Sequence, residues 1–378
     1  MNQVGAIRSG HALRIVAAGA LLALALGGCT SQGSEPREPA SPLTSSSSPS
    51  SAPASPSPSE GASPSVGAPP GMAPPGGHLT QGSATATPAP NNHPEVTPAP
   101  SPFYLRTQTQ AYAAWQAASG GDAELLESIA LTPQALWIGD WLSATEVTQV
   151  VAGYISAAQL DSTIPVLVLY AIPGRDCGSH SAGGLTAPEY QIWLDAVAEG
   201  ITGEPWVIVE PDALPQVGMC AGQGDRIGML RDAAAVMAEA GARVYLDVGH
   251  SDWLSPTQAI RALSRVGFED AVGFALNTSN FGSTADERVY GEEIAKGLGE
   301  DVGFIIDVSR NANGSNGEWC NPAGRGLGVT PRLVTDNTAL EALLWVKAPG
   351  ESDGTCNGGP AAGEWWQEGA IELARNRR

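Results

Sequence analysis

From residue 135 onward, short apolar runs rich in β-branched residues recur at intervals of roughly 30–40 residues, the repeat of a strand-plus-helix unit. Seven such runs predict strands: Ala135–Trp141, Ile164–Tyr170, Pro205–Glu210, Arg243–Val248, Ala271–Asn277, Val302–Val308 and Leu343–Ala348. Their apolar character is nearly continuous rather than alternating, which marks parallel strands covered on both faces. Between them, Ala187–Ile201 and Asp225–Ala240 space apolar residues three and four apart, the stripe of an amphipathic helix. The pattern predicts a single α/β domain over residues 103–378. Seven strands suit either a distorted, TIM-barrel-like (β/α) barrel or a doubly wound open sheet. A doubly wound nucleotide fold wants a glycine-rich loop after its first strand, and Trp141-Leu142-Ser143 is not one, so the barrel is favoured.

The periodicity stops upstream. Eighteen of the 30 prolines lie between Thr30 and Pro102, among Ser, Ala, Thr and Gly with almost no aliphatic residues. Such a chain buries too little apolar surface to fold, and its prolines favour extended backbone, so residues 29–102 read as a disordered spacer. Before it, Arg8 and Arg14 precede an apolar run from Ile15 to Leu26, too short to span a bilayer and of signal-peptide length. Residues 1–28 are therefore expected to be an export signal. Its last residues, Leu26-Gly27-Gly28, with Cys29 resemble the bacterial lipobox, which implies lipidation of Cys29 and an anchor on the extracellular face of the cell membrane, or secretion if the anchor is absent.

Lys+Arg 19 against Asp+Glu 39 gives a net charge of −20, which excludes nucleic acid as a partner, because nothing basic is available to neutralise phosphates. A tethered single domain implies a monomer. Apart from Cys29 the cysteines are four, Cys177, Cys220, Cys320 and Cys356. In an exported protein an even four reads as two disulfides. Of three possible connectivities, Cys177 with Cys220 and Cys320 with Cys356 is favoured. No Cys-x-x-Cys pair supports a metal site.

Parallel barrels carry their chemistry where strands end. Those ends read Asp140, Tyr170, Asp212, Asp247, Asn277, Asp307 and Lys347. Asp140 and Asp307 are accounted for as loop caps. Several carboxylates at one pole are harder to dismiss, since like charges held together cost energy unless something uses them.

Motifs at these ends resemble those of glycoside hydrolase family 6, the β-1,4-glucan hydrolases. They are Tyr170-Ala171-Ile172-Pro173-Gly174-Arg175-Asp176-Cys177, Val209-Glu210-Pro211-Asp212, Leu246-Asp247-Val248-Gly249-His250-Ser251 and Lys347-Ala348-Pro349-Gly350-Glu351-Ser352-Asp353-Gly354, in family order. Between the last two come Asn277-Thr278-Ser279-Asn280 and Ser309-Arg310-Asn311, followed by Glu318-Trp319-Cys320. The resemblance implies hydrolysis with inversion and no metal or organic cofactor. It implies Asp212 as general acid, and Asp176 as the neighbour that keeps the acid protonated and can receive a proton through water. Asp353 matches the residue proposed as base, and the choice between Asp176 and Asp353 stays open. Asp247 matches a positioning carboxylate. Trp137, Trp253 and Trp319 match sugar-stacking positions, Tyr170 a ring against the distorted sugar, and His250, Asn280, Lys347 and Glu351 hydroxyl-binding positions. His250 is not read as a metal ligand, because His180 lies in a Gly/Ser loop without ligand spacing. Trp193, Trp206 and Trp345 read as packing. The favoured cysteine pairs also match the family's two disulfides.

Ala171, Gly139 and Phe281 depart from residues common in the family, and none removes a catalytic carboxylate. The segments Cys177 to Cys220 and Asp353 to Cys356 are short. That implies an open cleft and internal cutting, an endo-β-1,4-glucanase acting on cellulose or a related glucan rather than a cellobiohydrolase. A second reading is a carbohydrate-binding lipoprotein that lost activity; retention of Asp176, Asp212 and Asp353 together counts against it.

Overall fold

A computed structural model describes residue 98, residues 100–299 and residues 301–377. The expected signal, Cys29 and nearly all of the expected spacer lie outside the described residues.

Two helices, α1 (Gln110–Ala117) and α2 (Gly120–Ala130), precede β1 (Leu136–Gly139). Strand and helix then alternate through α3 (Ala144–Leu160), β2 (Val166–Tyr170), α4 (Ala187–Glu199), β3 (Trp206–Val209), α5 (Arg226–Glu239) and β4 (Arg243–Asp247). The alternation continues through α6 (Pro256–Val266), β5 (Gly273–Leu276), α7 (Thr284–Leu298) and β6 (Gly303–Asp307). It closes with β7 (Arg332–Leu333), β8 (Leu340–Leu344) and α8 (Gln367–Arg375). Local sequence sets several helix starts. Ser143 with Glu146, Thr186 with Glu189 and Ser255 with Gln258 form capping boxes, and Pro188 and Pro256 occupy first-turn positions where no N–H is needed.

The sheet runs β1-β2-β3-β4-β5-β6-β8-β7, parallel except for β7, which pairs antiparallel with β8. It curls into a distorted barrel, the favoured of the two forms that the apolar pattern allows. Two features differ from the sequence reading. The last parallel strand is Leu340–Leu344, earlier than Leu343–Ala348, and β7 is too short and too polar to register as an apolar run. β7 has a structural consequence. It covers the free edge of β8 at Ala342 and Leu343, so β1 meets that edge only further along. There the Ala135 N–H donates to the Trp345 carbonyl at 2.9 Å, and the Trp137 indole donates to the Val346 carbonyl at 2.7 Å.

Period-two alternation splits the core. Val166 and Val168 point into the barrel with Trp206, Ile208 and Tyr245, while Leu167 and Leu169 point out under the helices. The barrel is therefore packed solid. Arg243 and Glu341, paired at 2.5 Å beside the Tyr245 hydroxyl, are partly exposed near the amino-terminal ends of β4 and β8. Trp193, Trp206 and Trp345 are buried, as expected.

Candidate active site

Immediately after β3 the backbone turns through left-handed conformations at Glu210 (φ 49°) and Asp212 (φ 68°), with Pro211 between them. Non-glycine residues adopt this region at a cost, and here the turn places Asp212 over the barrel mouth. Its Oδ1 is buried without a hydrogen-bond partner among the described residues. The Asp212 N–H donates to Asp247 Oδ1 at 2.9 Å. Burial first, and then the charges of Asp247, Asp176 and Asp353, hold the Asp212 carboxyl well above the usual aspartate range.

Asp176 sits on the segment 171–185, again in left-handed backbone (φ 57°), followed by Cys177 (φ 49°). Arg175 organises this segment. Its buried guanidinium donates through Nη1 to Asp140 Oδ1 at 2.6 Å and to the Tyr170 carbonyl at 2.5 Å, and through Nε to the Ser181 carbonyl at 2.9 Å. Asp140 Oδ2 accepts the Gly184 N–H at 2.8 Å. Asp140 is thus the counter-ion of the segment rather than a local cap. Buried Glu210 accepts the Ala171 and Ile172 N–H groups at 3.0 and 3.1 Å and the Tyr190 hydroxyl at 2.9 Å, fixing where the segment leaves β2. The Cys177–Cys220 disulfide pins it to the segment after β3. Asp176 Oδ2 accepts the Ser181 N–H at 3.0 Å, and Oδ1 faces Gln216 Nε2 at 3.4 Å. Burial raises the Asp176 pKa, against these bonds and Arg175.

Asp353 has a different environment. Arg310 Nη1 reaches both its oxygens at 2.9 Å, the Asn321 N–H donates to Oδ2 at 3.0 Å, and Lys347 Nζ lies 3.7 Å from Oδ1. Arg310 also stacks over Phe281, 4.4 Å from the ring centre. The Cys320–Cys356 disulfide braces this corner, so both expected pairings are present. Asp307, expected to be a cap, instead accepts N–H groups from Ser279, Ser309, Val346 and Lys347 at 2.9–3.2 Å, tying together the ends of β5, β6 and β8. That network sets the backbone of Lys347 and the turn holding Asn280. Glu351 accepts from Gln110 at 3.0 Å, and burial raises its pKa against Lys347 and Arg106.

Asp247, buried at the end of β4, accepts the Asp212 and Gly249 N–H groups, and burial pushes its pKa up to about 7. Beyond it, Ser251 donates through both N–H and hydroxyl to buried Glu287 on α7, which holds the turn carrying His250 and Trp253. Those two rings lie 5.8 Å apart, and burial lowers the His250 pKa. Trp137 and Tyr170 meet edge to face at 5.1 Å, and Trp319 is 52 % exposed. The structure thus gathers Asp176, Asp212, Asp247, Asp353 and Tyr170 within electrostatic reach of one another. Among the described residues one group of three could offer metal ligands, His180 with Cys320 and Cys356, but the two sulfurs are bonded to each other.

Five supporting residues were not assigned these roles by sequence reasoning: Glu210, Arg310, Glu287, Asp140 and Asp307. A glutamate ending the apolar run Trp206–Val209 was the available signal for Glu210. Glu287 carried none, because its helix reads as an ordinary polar face.

A carboxylic acid kept protonated beside other carboxylates, at the carboxyl pole of a barrel and near exposed indole, is the apparatus of a glycoside hydrolase. The chain belongs to glycosyl hydrolases family 6, whose profile matches residues 95–377. It is 60 % identical over 276 residues to Endoglucanase A of Cellulomonas fimi, spanning 73 % of this chain and 61 % of that protein. Endoglucanase 1 of Streptomyces halstedii is 39 % identical over 287 residues, covering 72 % of this chain and 88 % of its own length. Among solved structures, the endoglucanase Cel6 from Mycobacterium tuberculosis in complex with methyl-cellobiosyl-4-deoxy-4-thio-β-D-cellobioside superposes with a TM-score of 0.69. It is 40 % identical, and the match covers 74 % of this chain and 98 % of that one.

Proposed function

We propose that this chain is an endo-β-1,4-glucanase that hydrolyses internal glucosidic bonds with inversion of anomeric configuration. The observation that carries the reading is Asp212: a buried carboxyl with an unpartnered oxygen, held protonated by burial and by three neighbouring carboxylates. Such a group can donate to a glycosidic oxygen as the bond breaks.

Water must attack from the opposite face of the sugar, and its proton needs an acceptor. Asp353 accepts from Arg310 at both oxygens and from the Asn321 N–H, with the Lys347 ammonium 3.7 Å away, which suits a fixed counter-charge to the oxocarbenium-like transition state. Asp176, with only Ser181 and the longer Gln216 contact, keeps acceptor capacity. In this reading the proton passes to Asp176 through water, and Asp247 positions Asp212 through its backbone. Trp137, Trp253 and Trp319 stack sugars, Tyr170 supports the ring at the cleavage point, and His250, Asn280, Lys347 and Glu351 bind hydroxyls. The endoglucanase relatives favour internal cutting. Residues 1–28 serve export, Cys29 carries the lipid anchor and residues 29–102 tether a monomeric domain over residues 103–378 to the outer face of the membrane.

The test compares the full chain with its Asp212→Ala variant on carboxymethylcellulose, following viscosity and reducing ends together. Rapid viscosity loss by the parent alone is expected. Binding without cleavage by the parent would contradict the reading.

A further inference from the structure

Gln110, the first residue of α1, lies upstream of every motif of the site, yet its side chain reaches the segment after β8. Its Nε2 donates to Glu351 Oε1 at 3.0 Å and to the Gly363 carbonyl at 2.9 Å. Those two acceptors belong to opposite arms of one folded-back segment. Glu351 and Trp365 pair as an antiparallel bridge, the Ser352 N–H donates to the Glu364 carbonyl at 2.9 Å, and the Gly363 N–H donates to the Ser352 carbonyl at 2.9 Å. Asp353 follows Glu351 by two residues on the outgoing arm. The Gln110 amide therefore clasps the two arms and fixes the rotamer of Glu351. Thr109 caps α1 by accepting the Tyr112 N–H at 3.0 Å, so the start of the helix that supplies the clasp is itself held. Glu351 also stands in a row of alternating charge. Lys347 and Arg106 both favour its ionised form against burial, Lys347 Nζ lies 3.7 Å from Asp353 Oδ1, and Arg310 closes the row at 2.9 Å from Asp353. Glu351 lines a cavity of about 330 Å³ together with Arg310 and Asn321, the residues that hold Asp353.

We infer that Gln110 is a positioning residue for substrate binding: it holds Glu351 by one oxygen and leaves the other to accept a sugar hydroxyl beside Asp353. The inference rests on the reading of this chain as a glucanase in which Glu351 binds hydroxyls. A free glutamate side chain samples several rotamers, and the freedom it loses on meeting a sugar weakens the contact. The Gln110 amide removes that freedom before the sugar arrives. Oε1 is committed to the amide, and among the described residues Oε2 accepts no hydrogen bond. An ionised carboxylate binds a hydroxyl more strongly than a neutral acceptor does, and Lys347, Gln110 and Arg106 all favour that state. Gln110 acts through Glu351 and not on the bond being cut, so its loss falls on KM rather than on kcat.

The experiment uses the full chain with Gln110→Leu, Gln110→Glu, Glu351→Ala and the double variant Gln110→Leu/Glu351→Ala. Both kcat and KM are measured on cellopentaose, with thermal unfolding of each protein alongside. Gln110→Leu is expected to raise KM about five-fold, the loss of one bond to a charged group, with kcat within about two-fold of the parent. Gln110→Glu keeps the shape but turns a second acceptor toward Glu351, and is expected to raise KM at least as far. In the Glu351→Ala background, Gln110→Leu is expected to move KM by less than about two-fold, because the residue it acts through is gone. An unchanged KM in both Gln110 variants, a loss confined to kcat, or a Gln110→Leu effect undiminished without Glu351 would overturn the inference while leaving the glucanase reading standing. Loss of folding in both Gln110 variants would make the residue structural and overturn it equally. A Glu351→Ala protein with the parent's KM would remove Glu351 from hydroxyl binding, and the inference with it. A parent inactive on cellopentaose would overturn the function reading itself.

Discussion

The backbone N–H of Asp212 donates to Asp247 Oδ1 at 2.9 Å, so the end of β4 both aims the acid and adds a negative neighbour to it. Asp247→Asn keeps an acceptor oxygen and removes the charge. With one fewer like charge, Asp212 loses its proton at lower pH. The alkaline limb of the kcat/KM profile is expected to move to lower pH, with activity at the optimum down about ten-fold, less than the roughly 10²–10⁴-fold that loss of a general acid itself costs. A pH–rate profile of both proteins checks this.

Asp212 itself trades stability for chemistry. A buried carboxyl with an unpartnered oxygen is costly to ionise, so Asp212→Asn is expected to raise the melting temperature at neutral pH by a few degrees. The same change should cut kcat by about 10³-fold. Calorimetry alongside kinetics decides; equal losses of both would mean that Asp212 is structural.

Stability should fall as pH rises from about 4 to 8. Glu287 keeps its proton to about 7 in the folded chain against an ordinary 4.5, and Asp247 to about 7 against 3.8. Over that window the folded state binds more protons than the unfolded one, so raising the pH favours unfolding. Each group withdraws on the order of 3 kcal/mol once ionised. Urea unfolding at pH 5 and pH 8 should show the decline, and Glu287→Gln should flatten part of it.

The Arg310–Asp353 pair is buried on both sides, with side chains 4 % and 7 % exposed. Removing one partner strands the other, and Arg310→Met is expected to cost about 3–5 kcal/mol. Arg310→Met with Asp353→Asn should recover part of that loss. A double-mutant cycle in denaturant measures it.

The sheet was legible because strands covered on both faces become continuous apolar runs, as at Val166–Tyr170. β7 escaped notice because both its residues are exposed, and exposed pairing leaves no apolar trace. The carboxylates Asp176, Asp212 and Asp353 were legible through their motifs. Their supports were less so. Asp140 and Asp307 look identical to helix or loop caps in sequence, because only the folded chain brings Arg175 or four distant amides to them. Gln110 carried no signal, since its partners Glu351 and Gly363 are far away in the chain.

The most direct test of the central claim is the stereochemistry of the first cut. Proton NMR of cellopentaose during early hydrolysis by the full chain, before mutarotation equalises the anomers, reports the configuration at the new reducing end. Inversion predicts the α-anomer first, from a protonating Asp212 and a water activated across the ring. Initial release of the β-anomer would mean a covalent intermediate on one of these carboxylates and would contradict the account.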